Sequence, residues 1–418
     1  MSADSPNSLV ARAADLQDER LVAPQTFGDS VRAAVRRVRD GDLGMLPVFG
    51  GIVVIWTVFQ LLNRTFLSST NLVNLSFDIV PVGFLALGIV CVLLVGQIDL
   101  SVGSVSGVAA AVTAMVMVQH EQPVWLAILA AVACGSLIGW VYGLGFNRFA
   151  VPSFVMTLAG LLAFLGVQLW LLRGQNAINL PYDSGLVQFA QLWFVPQWLA
   201  YAMAVAAAAG LFTVGLVGAR TRRAAGLSAA SMRLLVVRSA LALAALGFTV
   251  FYLGRTRGVS WMFILFVVAV LVMHYVLSRT KFGRSVYAVG GNPEAARRAG
   301  INVKGVYAWT FILCSSLAAI GGVLAAARLA AATQSTGTGD VNLNAIAAAV
   351  IGGTSLFGGR GSAFSALLGI VVIQSISSGL TLLNLDSSYR FMITGAVLVL
   401  AVALDSFARR SRQAHGRG

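Results

Sequence analysis

Apolar runs near 20 residues long alternate along this chain with short polar connections. Runs of that length cross ~30 Å of hydrocarbon as helices. Twelve are read, at roughly 44–62, 79–97, 102–118, 124–145, 153–172, 196–218, 236–254, 259–277, 306–326, 341–357, 363–380 and 388–405. The first, sixth, eighth and twelfth are the clearest. The signal is continuous, not an alternation over ten-residue stretches, so the expected class is all-α, a polytopic helical membrane protein and not a β-barrel. Two pairs of runs are barely separated. Ile98-Asp99-Leu100-Ser101 divides the second from the third, and a glycine-rich stretch divides the tenth from the eleventh. Broken or re-entrant elements are therefore expected near 98–103 and 352–362, with about 10–12 transmembrane helices in all. The pattern divides the chain into a tail at 1–43, a transmembrane domain at 44–407 and a basic tail at 408–418.

Composition agrees with this pattern. Of the 418 residues, 58% are hydrophobic and 11% charged, against roughly 25% charged in a soluble domain. The net charge of +14 would point to nucleic acid in a soluble protein. In a membrane protein it follows from Lys and Arg gathering in cytoplasmic loops, so lipid and not nucleic acid is the expected partner. With an internal N-terminus and twelve spans, 23 of the 29 Lys and Arg fall on the inside. That bias predicts both termini in the cytoplasm, together with the loop at 279–305. The first 43 residues hold six arginines and no signal-peptide core before the first apolar run, which reads as a cytoplasmic tail. Residues 29–40 read either as an amphipathic helix on the membrane or as part of an unstructured tail. The longest expected external loop, 173–195, carries Asn176, Asn179, Tyr182, Asp183 and Gln188, a composition suited to a soluble partner or to no partner at all. The arginines of 219–235 anchor the sixth and seventh spans.

Candidate chemistry is sparse. Cys91, Cys134 and Cys314 lie inside apolar runs without paired spacing, and His120, His274 and His415 are scattered. No metal, disulfide, cofactor or nucleophile–base signature follows. Three polar blocks remain. In the first, Gly96, Gln97, Asp99, Ser101 and Gly103 interrupt an apolar stretch. An aspartate at membrane depth costs ~2.5–3.5 kcal/mol on insertion scales, which marks a lumen, a partner or a helix end. Asp99 reads either as a helix N-cap or as part of a polar patch lining a path, where unwound helices commonly place sites. The second block runs from Gln334 to Ser362, QSTGTGDVNLNAIAAAVIGGTSLFGGRGS. Its glycines permit close backbone approach or a break, Asn342, Asn344, Thr354 and Ser355 supply polar groups, and the order is not that of a nucleotide-binding loop. The third block is Val286–Val303, VYAVGGNPEAARRAGINV. Gly291 and Asn292 precede a helix start at Pro293 and Glu294; Ala295, Ala296 and Ala299 give a small-residue face, Arg297 follows, and Gly300 is a stop. Such a short charged helix suits a groove on another protein.

These blocks resemble the permease subunits of ribose/xylose-type bacterial ABC sugar importers. The second block matches that family's TGTGxxLxAIAAxVxGGTSLxGGxG signature almost throughout, with Asn342 and Asn344 around Leu343, and Phe357 in a variable slot. The similarity covers about 66–407, and the added segment at 196–254 resembles the xylose branch. The resemblance implies a subunit without catalysis of its own, in the cytoplasmic (inner) membrane. It implies a second permease copy, a cytoplasmic ABC ATPase docking on the loop at 279–305, and a periplasmic or lipid-anchored sugar-binding protein. The expected cargo is a pentose such as D-xylose, and Gln97, Asp99, Ser101, Gly103, Gln334, Asn342, Asn344, Thr354 and Ser355 are candidates for its path. The sequence also admits two other readings, an ion-coupled secondary sugar transporter and a passive channel.

Overall fold

The computed structural model describes residues 46–386 continuously and isolated positions beyond them. The two tails, the pattern at 29–40 and much of the run at 388–405 lie outside the described residues. Among the described residues two compact units are distinct: 195–259 form one, and 46–194 with 260–386 form the other.

The larger unit opens with α1 (Leu46–Leu62), α2 (Ser69–Leu94), α3 (Val102–Ala114, widened by a π turn over Met115–Gln119), α4 (Val124–Phe149) and α5 (Ser153–Leu171). A short strand β1 (Ala177–Asn179) and α6 (Gly185–Gln191) follow. After the smaller unit come α9 (Trp261–Arg279), α10 (Lys281–Gly291), α11 (Pro293–Arg298), α12 (Val303–Leu329), β2 (Ala331–Thr333), α13 (Val341–Ile351) and α14 (Ala363–Leu382). The smaller unit is a hairpin of α7 (Gln197–Ala224) and α8 (Met232–Leu253). Its turn is held by Arg222 Nε donating to the Ser228 carbonyl at 2.7 Å.

Nine of these helices, among the described residues, are long and apolar enough to cross a membrane. With the shorter α1 and α13 they account for the first eleven expected runs, and the all-α class holds. Two of the boundaries that differ from expectation bear on the polar sites. Helix α2 starts at Ser69 instead of residue 79, because Ser68 caps it by accepting the Asn71 N–H at 3.3 Å. Helix α13 ends at Ile351, not at residue 357, where Gly352 and the left-handed Gly353 (φ 102°) stop it. Its 11 residues span about 16 Å, roughly half a bilayer.

Helix α12 is the axis of the larger unit. Lipid tails are as apolar as side chains, so helices in a membrane associate by close packing of small residues. Gly135, Gly139 and Gly143, one per turn of α4, face α12. A methyl group on Gly135 would sit 2.7 Å from the Ser315 carbonyl, and one on Gly143 would sit 2.7 Å from Ala308 Cα. On another side of α12, a methyl on Gly88 of α2 would meet the Cys314 carbonyl at 2.8 Å. One end of α12 lies beside α10–α11. At the other end β2 pairs antiparallel with β1, Ile178 opposite Ala332, over a core of Ala110, Ala114, Leu172, Ile178 and Ala326.

Candidate functional site

Polar chemistry gathers in three places in the larger unit. The first is where the two broken elements begin together. Helix α3 starts beside the start of α13, and the Asn342 side chain bridges them. Its carbonyl oxygen accepts the Gly103 N–H at 3.2 Å and its amide donates to the Leu100 carbonyl. Ser101, not Asp99, occupies the N-cap position of α3, and its side chain makes no cap bond. Asp99 lies two residues earlier, fully buried. Its Oδ1 accepts the Ser101 N–H at 2.8 Å and the Ser101 hydroxyl at 2.7 Å. Tyr142 of α4 donates to that same hydroxyl at 2.7 Å. The expected cap is thus a side-chain turn ahead of the helix, and in this conformation the carboxylate faces the chain's own interior.

From the end of β2 to α13 the backbone is non-helical, and its carbonyls need partners in an apolar surrounding. Gln168 of α5, 1% exposed, supplies a side-chain donor here: its amide donates to the Thr336 carbonyl at 2.9 Å and to the Thr333 carbonyl at 3.0 Å, which also accepts the Thr336 N–H at 3.1 Å. Gly107 leaves the room, since a methyl there would overlap the Gln168 side chain. Sequence reasoning passed over Gln168; its signal was a single amide inside an apolar run.

The second place is the α10–α11 end. Three glycine-bearing segments meet there backbone to backbone. A methyl on Gly290 would strike the Leu94 carbonyl at the end of α2, and one on Gly358 would lie 2.8 Å from the Gly290 carbonyl and 2.9 Å from the Gly96 nitrogen. The Gly359 N–H donates to Leu94 O at 2.9 Å. Tyr287 donates to the Gly361 carbonyl at 2.8 Å, and burial pushes its phenol above the ordinary value, so it remains a donor. Asn292 caps α11 by accepting the Ala295 N–H at 3.0 Å, Pro293 opens the helix, and Gly300 (φ 80°) follows its end. Glu294 pairs with Arg297 at 2.8 Å on the surface. One detail is corrected: Ala296 is buried, so the outward small-residue face consists of Ala295 and Ala299.

The third place was not expected. The early start of α2 puts Thr70, Asn74 and Asp78 one turn apart on its exposed side, with Asn71 beside them. Helix α14 adds Gln374 and Ser378. The Gln374 amide donates to the Asp78 carbonyl at 3.1 Å and the Ser378 hydroxyl donates to Asn71 Oδ1 at 3.1 Å. Arg328 of α12 pairs with the Asp78 carboxylate at 3.4 Å. The hydropathy boundary at 79 concealed this stripe, because its polar residues lower the average of a window whose other positions are buried.

Of the nine path candidates, Asp99, Ser101, Gly103 and Asn342 come together at the start of α3. Gln97 lies in the segment joining α2 to α3. Gln334 binds the Gln175 carbonyl near the strand pair at 3.1 Å. Asn344 donates to Asp340 at 3.0 Å, while Thr354 and Ser355 belong to the glycine loop, where Ser355 N–H donates to Arg360 O at 2.9 Å. No group of three or more His, Cys, Asp or Glu side chains suited to a metal ion occurs among the described residues.

Long apolar helices, two of them interrupted, with a capped charged helix at one end, define a membrane transport subunit. The chain belongs to the family described as branched-chain amino acid transport system / permease component, whose profile matches residues 71–402. It is 34% identical over 374 residues to the xylose transport system permease protein of Escherichia coli (strain K12), covering 88% of this chain and 93% of that one. The corresponding protein of Haemophilus influenzae (strain ATCC 51907 / DSM 11121 / KW20 / Rd) is 33% identical over 372 residues, 88% of this chain and 98% of that one. The ribose import permease protein of Bacillus subtilis (strain 168) is 29% identical over 366 residues, covering 88% and 94%. No solved structure matches the chain.

Proposed function

We propose that this chain is the transmembrane subunit of a binding-protein-dependent ABC importer that carries a pentose, D-xylose, across the cytoplasmic membrane. Hydrolysis of ATP belongs to a partner subunit docked on α10–α11. The observation that carries this reading is the three-way contact of Gly290, Gly358 and the end of α2. Main chains packed this closely have little room to slide, so a push on α11 is passed to α2 and to the loop after α13, which adjoin the broken elements. Ala295, Ala299 and the Glu294–Arg297 pair lie outward for the ATPase. The membrane end bearing β1 and β2 faces the sugar-binding protein, and a second copy of the chain completes the path. The choice of D-xylose rests on the xylose permease relatives and on the segment at 196–254, which coincides with the separate unit 195–259.

The test is uptake of labelled xylose, ribose and a hexose by a host lacking its own pentose importers, supplied with this subunit and its cognate partners. ATP-dependent xylose uptake that the other sugars compete for poorly is the expected result. Uptake driven by an ion gradient without the ATPase would overturn the reading in favour of a secondary transporter.

A further inference from the structure

The faces that the larger unit leaves open differ in chemistry. Away from Arg148 and Arg279 at their ends, α4, α5 and α9 expose many large apolar side chains, among them Leu129 and Leu137 of α4, Leu158 and Leu162 of α5, and Val268 of α9. Those faces suit lipid. Among the described residues, α2 and α14 have no exposed large hydrophobic side chain at all. Their exposed positions are Thr70 and Asp78 on α2 and Thr381 on α14, and the half-buried Asn71, Asn74, Gln374 and Ser378 continue them as a polar stripe beside half-buried Leu72, Val82, Leu367 and Val371. Asp78 is nine residues into a 26-residue helix, about 14 Å along its axis, and Gln374 lies eight residues before the end of α14. These groups lie on helices long and apolar enough to cross a membrane, toward the end where Arg328 closes α12. Ionisable side chains on such helices face a protein interior or a water-filled cavity, not lipid.

The chemistry also selects the occupant. Arg328 balances the carboxylate of Asp78 at 3.4 Å and also stacks 4.8 Å above the Phe77 ring. The stripe is thus close to neutral overall and presents amides, hydroxyls and a half-exposed carboxylate. Those groups donate to and accept from hydroxyls, and offer no net charge to hold an ion.

We propose that the α2–α14 face, centred on Asn74, Asp78 and Gln374, is the water-lined wall along which a neutral polyhydroxylated sugar passes through the half of the membrane nearest the β1–β2 pair. The proposal rests on the sugar-importer reading and names its binding surface. It moves the path away from Asp99, which is buried inside the chain.

The test uses the importer assembled in its native membrane. Cys91 and Cys314 are buried, and Cys134→Ser removes the more accessible native thiol. On that background Asn74→Cys, Gln374→Cys and the lipid-face control Leu162→Cys are treated with a charged, membrane-impermeant methanethiosulfonate, which reacts with a hydrated thiolate. Labelling of Asn74→Cys and Gln374→Cys but not Leu162→Cys, with loss of uptake and slower labelling in the presence of xylose, is expected. If both stripe cysteines stay as unreactive as Leu162→Cys in an importer that transports, the face is covered and the proposal is overturned. Disulfide formation between copies at Asn74→Cys, with uptake intact after labelling, also overturns it, by making the face a contact between subunits. Labelled stripe cysteines in a system whose unsubstituted form takes up no pentose would support the water-lined wall and sink the pentose assignment instead.

Discussion

Asp99 accepts both the N–H and the hydroxyl of Ser101, through one oxygen. An asparagine retains that oxygen, so Asp99→Asn should reach the membrane in near-normal amount. Asp99→Leu leaves buried donors without an acceptor, at a cost of ~1–3 kcal/mol, and its abundance should fall. Quantitative blotting of membranes beside an uptake assay checks both. A well-expressed, transport-dead Asp99→Asn would show that the carboxylate itself is needed and that its role is not only structural. Gln168 carries a parallel expectation. Gln168→Leu leaves the Thr336 carbonyl without its donor and the Thr333 carbonyl with only the Thr336 N–H, so thermal stability in detergent should drop by the cost of one buried unpaired group, again ~1–3 kcal/mol. An unchanged melting profile would mean that water or lipid headgroups reach the Thr336 carbonyl. At this scale the sequence displayed which residues were out of place in apolar runs, but not their partners. Asn342 to Leu100, like Gln168 to Thr336, joins positions far apart in the chain, and spacing carries no record of such pairs.

Elements were legible where their signals are local. Asn292, Pro293 and Gly300 are a cap, a first-turn residue and a stop within nine positions, and α11 forms between them as expected. The breaks near 98–103 and 352–362 were legible because a carboxylate and a glycine run cannot continue an apolar helix unaided. The start of α2 was not, since a helix that is polar on one stripe and buried elsewhere averages to an ambiguous hydropathy. At the α10–α11 element the Glu294–Arg297 pair is largely exposed, so breaking it should hardly affect stability. Glu294→Lys should therefore insert and fold normally yet lose co-purification of the ATPase and sugar uptake, as should removal of 292–300. Normal uptake in the deletion would refute the docking assignment. Gly290→Val probes the other side of the same element. Its side chain has no room against Leu94, so it should force α10 away from α2 and lower uptake even where the ATPase still co-purifies.

For the whole molecule, the family and the all-α membrane class were carried by local blocks and by hydropathy, while the stripe on α2 and α14 emerged only once helices distant in sequence were set side by side. The direction in which the chain threads the membrane can be argued from charge. Lys and Arg divide 23 to six in favour of the segments expected inside, and moving such charges across a bilayer is costly enough to set the topology. Helix α12 links the two ends: it begins beside α11, which carries Glu294, Arg297 and Arg298, and it ends at β2, paired with β1. At 27 residues it is about 40 Å long, enough to place those ends on opposite sides of the hydrocarbon. A phosphatase reporter, active only outside, should therefore be silent when fused after Glu294 and active after Asn179, and a fluorescent reporter that folds only in the cytoplasm should show the reverse. Activity of the phosphatase at Glu294 would invert the molecule, put the α10–α11 helix out of reach of any ATPase, and leave the shared contact of Gly290 with α2 without a coupling role.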